Sequence, residues 1–121
     1  VFVHVEAPDE MSHEGNLEGK IRAIEDFDDK VVGTVLKGIG AFADYRVLAL
    51  SDHPTPLKIR THAADPSAFA ILSSSAEENL RRGASFHEKD ARAGGILIRP
   101  WHRLMDLFIG NWKTFIEENR P

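Results

Sequence analysis

A long amphipathic segment between two β-rich runs is the feature that most constrains the fold of this 121-residue chain. From about Leu17 to Lys37 apolar residues recur every three to four positions, and Asn16 precedes them as a capping residue, so the segment predicts a helix. Val1–Val5 before it and Tyr45–Leu50 after it are rich in β-branched and apolar residues and predict strands. Strand, helix and strand with a connection of this length predict a right-handed parallel βαβ unit. The predicted fold class is therefore α/β with a parallel-sheet core.

The remaining chain predicts shorter elements. Two prolines in Pro54–Lys58 fix their own φ angles and remove backbone donors, which predicts a rigid turn. The polar stretch 73–83 is typical of a solvent-facing loop or a short helical turn. The other expected elements are a third strand at Ala68–Leu72, a short helix at Phe86–Arg92, a brief strand at Ile96–Ile98 and a final helix from Pro100.

Composition excludes several classes of function. The chain has no cysteine, which excludes disulfides and cysteine-ligated zinc or iron–sulfur sites and leaves histidine and carboxylate as the strong metal ligands. A formal net charge of -4 provides no basic surface, so nucleic acid is not expected as a partner. No apolar stretch approaches the roughly 20 residues that a membrane span needs. A soluble, cytoplasmic protein without a membrane partner is expected.

The beginning of the sequence already has a strand pattern. It has no methionine and runs directly into Val1–Val5. We therefore expect a fragment whose upstream part is missing. A trimmed terminus on a complete small domain is the alternative, and composition does not decide between the two.

Carboxylates and imidazoles cluster in three segments beyond predicted strands. The first is Glu6–Gly15, which we expect to be a polar loop, and the others follow Tyr45–Leu50. Because parallel strands place their carboxyl ends at one edge of a sheet, side chains from these segments are expected to meet there. The candidate metal ligands are Asp9, His13, Asp52, His53 and His62.

A mixed set of carboxylates and imidazoles suits Mn²⁺ or Zn²⁺, whereas an all-oxygen set would suit Mg²⁺ better. Two divalent cations about 4 Å apart suit phosphoryl transfer, because one activates a nucleophile and the other neutralises phosphate charge. Arg60 is a candidate for binding a substrate phosphate or carboxylate, with an ordinary surface role as the alternative. A non-enzymatic α/β module whose histidines only pack or bind a structural metal also remains open.

The same motifs occur in a known family. The chain resembles the cofactor-independent (2,3-bisphosphoglycerate-independent) phosphoglycerate mutases of the archaeal type, in the alkaline phosphatase superfamily. The resemblance covers nearly the whole chain, and its three ligand motifs have the expected order. The matching segments are Val3–Gly15, Lys20–Glu25, Ser51–Pro56, Arg60–His62, Asp65-Pro66, Phe86, Glu88, Ala91 and Gly95–Met105.

The resemblance implies a reaction and a ligand assignment. The family interconverts 3-phosphoglycerate and 2-phosphoglycerate through a phosphoserine intermediate at a two-metal centre. The resemblance implies two divalent ions, Mn²⁺ or Zn²⁺ with Mg²⁺ as the alternative, and a phosphorylated small molecule as substrate. By motif, one metal would be held by Asp9, His13 and His62, and the other by Asp52 and His53 together with residues from elsewhere.

The resemblance also implies that residues 1–121 are the C-terminal part of a phosphatase-like metal-binding domain with an incomplete core. The serine nucleophile and a further aspartate are expected upstream, so this chain contributes no catalytic nucleophile and needs the missing N-terminal segment as partner. Ser12 and Ser51 lack the motif of the nucleophile and are expected to be loop residues. We expect the chain alone to be inactive or nearly so. The enzymatic alternative is another metal-dependent phosphotransferase or phosphatase of the same superfamily.

Overall fold

The computed structural model of the chain describes residues 1–75 and 85–118. Most of the predicted polar loop at 73–83 lies outside these residues. The chain divides into two compact units, which we describe separately. The first unit contains Val1–Phe42 and Asp52–Pro66, and the second contains Ala43–Ser51 and Ser67–Pro121.

The first unit begins with helix α1, Ala7–Glu14, where we expected a polar loop. The loop prediction is wrong for a physical reason. Proline is tolerated in a first helical turn, and acidic residues there with a histidine in the last turn complement the helix dipole. Gly15 ends the helix at φ 73°, and the Asn16 amide donates to the Met11 carbonyl at 2.8 Å, which closes a Schellman turn.

A second helical segment runs over most of the predicted amphipathic region. It comprises α2 (Leu17–Asp26), a π-helical turn (Phe27–Val32) and α3 (Gly33–Ile39). The Asn16 side chain accepts a hydrogen bond from the Gly19 amide at 2.8 Å, so it caps α2 as predicted. The prediction of a helix from about Leu17 to Lys37 is thus confirmed.

The second unit contains strands β1 (Arg46–Leu50) and β2 (Phe69–Ser73), which pair antiparallel with Arg46 opposite Ser73 and Leu50 opposite Phe69. Both strands were predicted. Its helical elements are α4 (Glu88–Ala93), α5 (Arg103–Asp106), a π-helical turn (Leu107–Asn111) and α6 (Trp112–Glu118).

An aromatic contact organises the second unit. Trp112 is 3% exposed and is the one buried apolar residue among those described. Its ring meets the Phe69 ring edge-on at 6.5 Å and stacks with Phe115 at 5.4 Å. The Arg46 guanidinium donates to the Phe108 carbonyl at 2.8 Å, which ties β1 to the C-terminal helical region. Trp112 therefore acts as the packing anchor of the second unit.

Two strand predictions and the parallel unit are wrong for the described residues. Val1–Val5 and Ile96–Ile98 form no strand, and the two-stranded sheet is antiparallel, so no parallel βαβ unit forms. A segment rich in β-branched residues forms a strand only when a neighbouring strand supplies backbone hydrogen-bond partners. Val1–Val5 has no such neighbouring strand within the described chain. The fold is thus mixed α/β with a small antiparallel sheet. None of the described helices has the length and apolar character needed to cross a membrane.

The left-handed conformation of Gly15 provides a test of the α1 boundary. Gly15→Ala should destabilise the protein by about 1–2 kcal/mol, because a residue with a Cβ is strained at positive φ. The added methyl would also lie 2.5 Å from the Arg60 Nε. Gly38→Ala is the matched control, since a Cβ there meets nothing within 4 Å and should be neutral or stabilising. Urea denaturation measures both, and equal effects of the two substitutions would contradict the assignment.

Candidate metal centre

Helix α1 places two candidate ligands on one face. Asp9 and His13 are four residues apart, so their side chains lie one helical turn from each other, and Asp9 Oδ2 is 3.2 Å from His13 Nε2. Between them Ser12 is fully buried, and its hydroxyl donates to the Pro8 carbonyl at 2.6 Å. Ser12 therefore lies in a helix and not in the expected loop, with its hydroxyl engaged by the backbone.

A compact loop of the same unit brings the other residues to α1. The Ala63 amide donates to the Pro54 carbonyl at 2.9 Å, which closes the loop at its base. Within it, the Pro56 carbonyl accepts from the amides of Ile59 at 3.1 Å and Arg60 at 2.9 Å. Arg60 adopts φ 53°, the left-handed region that residues with a Cβ enter at a cost of about 1–2 kcal/mol. This turn directs the Arg60 carbonyl towards α1.

The Arg60 carbonyl determines which ring nitrogen of His13 carries the proton. It lies 2.9 Å from His13 Nδ1. A carbonyl oxygen only accepts hydrogen bonds, so Nδ1 carries the proton and donates it. The lone pair of His13 is then on Nε2, the atom that faces Asp9. A histidine whose Nδ1–H is held by a carbonyl while Nε2 is free has the arrangement typical of metal-ligating imidazoles.

His62 completes a group of three donors. Its Nε2 lies 3.2 Å from His13 Nε2 and 3.7 Å from Asp9 Oδ1. One ligand atom from each of Asp9, His13 and His62 lies within 4.8 Å of the other two. One carboxylate oxygen and two imidazole nitrogens are a donor set that suits a divalent transition metal. The residues thus fit a single cation in charge and in spacing.

Asp9 is the electrostatic centre of the group. The Thr55 hydroxyl donates to its Oδ1 at 2.5 Å, and this hydrogen bond is the main cause that holds the pKa of the Asp9 carboxyl below its usual value. Desolvation opposes the shift, and the neighbouring histidines His13, His62 and His53 add to it. Asp9 is therefore a carboxylate at neutral pH and offers negative charge to a cation.

The second predicted pair lies at the edge of this group. The His53 ring stacks on the His62 ring with centroids 3.6 Å apart and an interplanar angle of 30°. Asp52 Oδ2 lies 3.4 Å from His53 Nε2, and the Asp52 side chain is 67% exposed. The structure thus brings His53 against the three-donor group. Within the part of the chain that the structure describes, the Asp52 carboxylate contacts His53 and is not a member of that group.

Arg60, the candidate substrate-binding residue, borders the same region. Its side chain is exposed, and its guanidinium lies against the backbone of Gly15. Its contact with the ligand group is made by the main-chain carbonyl and not by the charge. A role of the guanidinium in substrate binding stays a prediction.

Sequence reasoning missed two residues that support the group. Thr55 is 6% exposed and hydrogen-bonds Asp9, although we interpreted its segment only as a rigid turn. The Lys20 ammonium donates to the Thr55 carbonyl at 3.0 Å and so anchors the loop to α2. The one available signal was the position of Thr55 between two prolines, two residues after His53, since a rigid segment holds a side chain in place.

Comparison with known proteins gives the family. The model of the metalloenzyme superfamily matches residues 1–98, which includes every member of the donor group. The chain belongs to the metalloenzyme superfamily. Membership agrees with the donor set, because Asp9, His13 and His62 offer a cation the ligand types that such enzymes use.

Several curated relatives of this chain are named 2,3-bisphosphoglycerate-independent phosphoglycerate mutases. It is 45% identical over 109 residues to a probable mutase of this name from Geobacter sulfurreducens, covering 90% of the chain and 27% of the relative. It is 43% identical over 110 residues to the Methanosarcina acetivorans mutase, covering 82% of the chain and 28% of that relative. The chain thus spans about a quarter of the length of these relatives. No solved structure gives a significant match.

The Lys20 contact provides a test of how the loop is held. Lys20→Met should lower the free energy of unfolding by about 1–2 kcal/mol, because a part-buried hydrogen bond from a charged donor is lost while the methylene packing is kept. Lys37→Met, at an exposed position of α3, is the control and should change stability by less than about 0.5 kcal/mol. Urea denaturation at constant pH measures both. Equal stability of Lys20→Met and the wild type would contradict the anchoring role.

Proposed function

We propose that this chain provides part of the two-metal centre of a cofactor-independent phosphoglycerate mutase. The observation that carries the proposal is the convergence of Asp9, His13 and His62, with the proton of the neutral His13 ring held on Nδ1 by the Arg60 carbonyl. Membership in the metalloenzyme superfamily and the names of the relatives support the same reading.

The proposed ligands divide into two sets. Asp9, His13 and His62 hold one divalent ion, and their mixture of oxygen and nitrogen favours Mn²⁺ or Zn²⁺ over Mg²⁺. Asp52 and His53 contribute to the second ion, which needs further ligands from outside the described residues. The exposure of the Asp52 carboxylate is consistent with a half-built site that other residues complete.

The bound ions would supply charge neutralisation at the transferring phosphoryl group and activation of the nucleophile. The residues of this chain prepare that chemistry. Asp9 contributes negative charge, and the carbonyl of Arg60 keeps His13 in the tautomer that can ligate. The exposed guanidinium of Arg60 is available for the phosphate or carboxylate of a phosphoglycerate.

The rest of the activity belongs to residues outside this chain. We propose that the serine that carries the phosphoryl group, and the remaining ligands, come from the part of the protein that the relatives have in addition. The apolar face of α2 supports this, since Leu17, Ile21 and Ile24 are 57%, 49% and 49% exposed. Apolar exposure of this kind is typical of a surface that packs against further chain.

Titration of Mn²⁺ and Zn²⁺ into the metal-free protein tests the ligand assignment. We expect stoichiometric binding by isothermal titration calorimetry and its loss in the double variant Asp9→Ala/His53→Ala. The single variant Asp9→Asn should weaken binding strongly, because it removes the charge and keeps the size of the side chain. Glu10→Gln removes a neighbouring exposed carboxylate of α1 and serves as the control, with unchanged affinity. Equal binding by Asp9→Asn and the wild type would overturn the assignment.

Activity assays test the reaction. The complete protein that contains this chain should interconvert 3-phosphoglycerate and 2-phosphoglycerate, lose that activity on chelation and regain it with Mn²⁺. The 121-residue chain alone should give no measurable turnover. Release of inorganic phosphate without isomerisation would favour a phosphatase of the same superfamily, and turnover by the isolated chain would contradict the division of the site.

A further inference from the structure

Thr55 has two polar partners on different parts of the candidate centre. Its hydroxyl lies 2.5 Å from Asp9 Oδ1 and 3.2 Å from His53 Nδ1. The residue is 6% exposed, so water has little access to replace either contact. One buried hydroxyl therefore joins a proposed ligand of the first metal to a proposed ligand of the second.

The chemistry of the three groups fixes the direction of both hydrogen bonds. A hydroxyl has one proton, and the Asp9 carboxylate can only accept, so the Thr55 proton points to Asp9. The oxygen of Thr55 is then an acceptor towards His53, and the proton in that second bond must be on His53 Nδ1. In the neutral ring Nε2 then keeps its lone pair for a metal. Asp52 Oδ2 lies 3.4 Å from that nitrogen and favours a proton there, so Thr55 and Asp52 favour opposite tautomers of His53.

We propose that Thr55 is a positioning residue that orients Asp9 and holds His53 as the Nδ1-protonated tautomer, so that one side chain prepares ligands of both metals. The part concerning metals rests on the proposed function. The tautomer of His53 is a property of the chain itself and does not depend on it.

The surroundings of Thr55 hold its hydroxyl in place. Pro54 and Pro56 restrict the backbone on both sides, and the Lys20 ammonium binds the Thr55 carbonyl at 3.0 Å. The β-branched side chain has few accessible rotamers, so the hydroxyl loses little entropy when it makes both bonds. His13 is prepared in the same way by the Arg60 carbonyl, so the two imidazoles have the same tautomer through different partners.

The first test determines the tautomer of His53 by NMR in the metal-free protein. Long-range ¹H–¹⁵N correlation spectra at about pH 8, where ordinary imidazoles are neutral, distinguish protonated from bare ring nitrogens. In the wild type His53 should be protonated on Nδ1. Thr55→Val keeps the shape and removes the hydroxyl, and should shift His53 towards the Nε2-protonated form. Thr55→Ser keeps the hydroxyl and should retain the wild-type tautomer.

Two controls separate this effect from general disturbance. His13 should keep its ring proton on Nδ1 in Thr55→Val, because the partner of that nitrogen is the Arg60 carbonyl, while the shift of its Nε2, which faces Asp9, is expected to change. Thr34→Val makes the same chemical change at an exposed position of α3 and should leave both histidines as in the wild type. A Thr55→Val variant in which His13 as well as His53 loses its proton from Nδ1 would indicate a structural role only and would overturn the proposal.

The second test measures metal affinity. Loss of a partner that orients a ligand typically weakens metal binding by about 10–100-fold, and we expect this for Mn²⁺ in Thr55→Val. Thr55→Ser should restore most of the affinity. Wild-type affinity in a folded Thr55→Val variant would overturn the proposal.

The outcomes remain distinct if a variant does not fold or if no metal binds. Protonation of His53 on Nε2 in the metal-free wild type would overturn the role of Thr55 without any variant. Absence of Mn²⁺ binding by the wild type would overturn the proposed function, while protonation on Nδ1 and its loss in Thr55→Val would still support Thr55 as the residue that fixes His53.

Discussion

The carboxylate of Asp9 is the group on which the candidate centre depends. Its Oδ1 accepts from Thr55 and its Oδ2 faces His13, so one side chain joins helix α1 to the loop that follows β1. The hydrogen bond from Thr55 holds the pKa of the carboxyl low, which keeps the negative charge at neutral pH. Without that charge, the imidazoles of His13 and His62 would face each other at 3.2 Å with nothing to attract a cation between them.

The two parts of the centre achieve their geometry by different means. Helix α1 needs no tertiary contact to bring Asp9 and His13 together, because a spacing of four residues places them on one helical face. The loop depends on its backbone: two prolines, a hydrogen bond from Ala63 to the Pro54 carbonyl and the left-handed turn at Arg60. The strain at Arg60 has a structural consequence, since this turn presents the carbonyl that fixes the tautomer of His13.

The donors of the candidate centre lie close together on one side and are more exposed on the other. Asp9, His13 and His62 form a closed group, whereas His53 stacks against it and Asp52 extends towards solvent. A chain that spans about a quarter of its relatives' length is expected to carry such an arrangement if the remaining protein supplies the other ligands. Thr55 contacts one residue on each side, Asp9 and His53, and so relates the two sides to each other within this chain.

The sequence by itself determined the helix over the amphipathic region, the strands β1 and β2, and the residue types of the centre. Periodicity and capping are local properties, and Asn16 caps its helix wherever that helix packs. The sequence predicted a strand at Val1–Val5 and a parallel sheet, and the described residues form neither, because strand pairing depends on which segments are available as neighbours. It predicted that Asp9 and His53 would approach each other but assigned the wrong cause. Only the tertiary structure decided that a helix and a strained loop, joined by the hydroxyl of Thr55, bring them together, since such contacts leave no periodic signal in the chain.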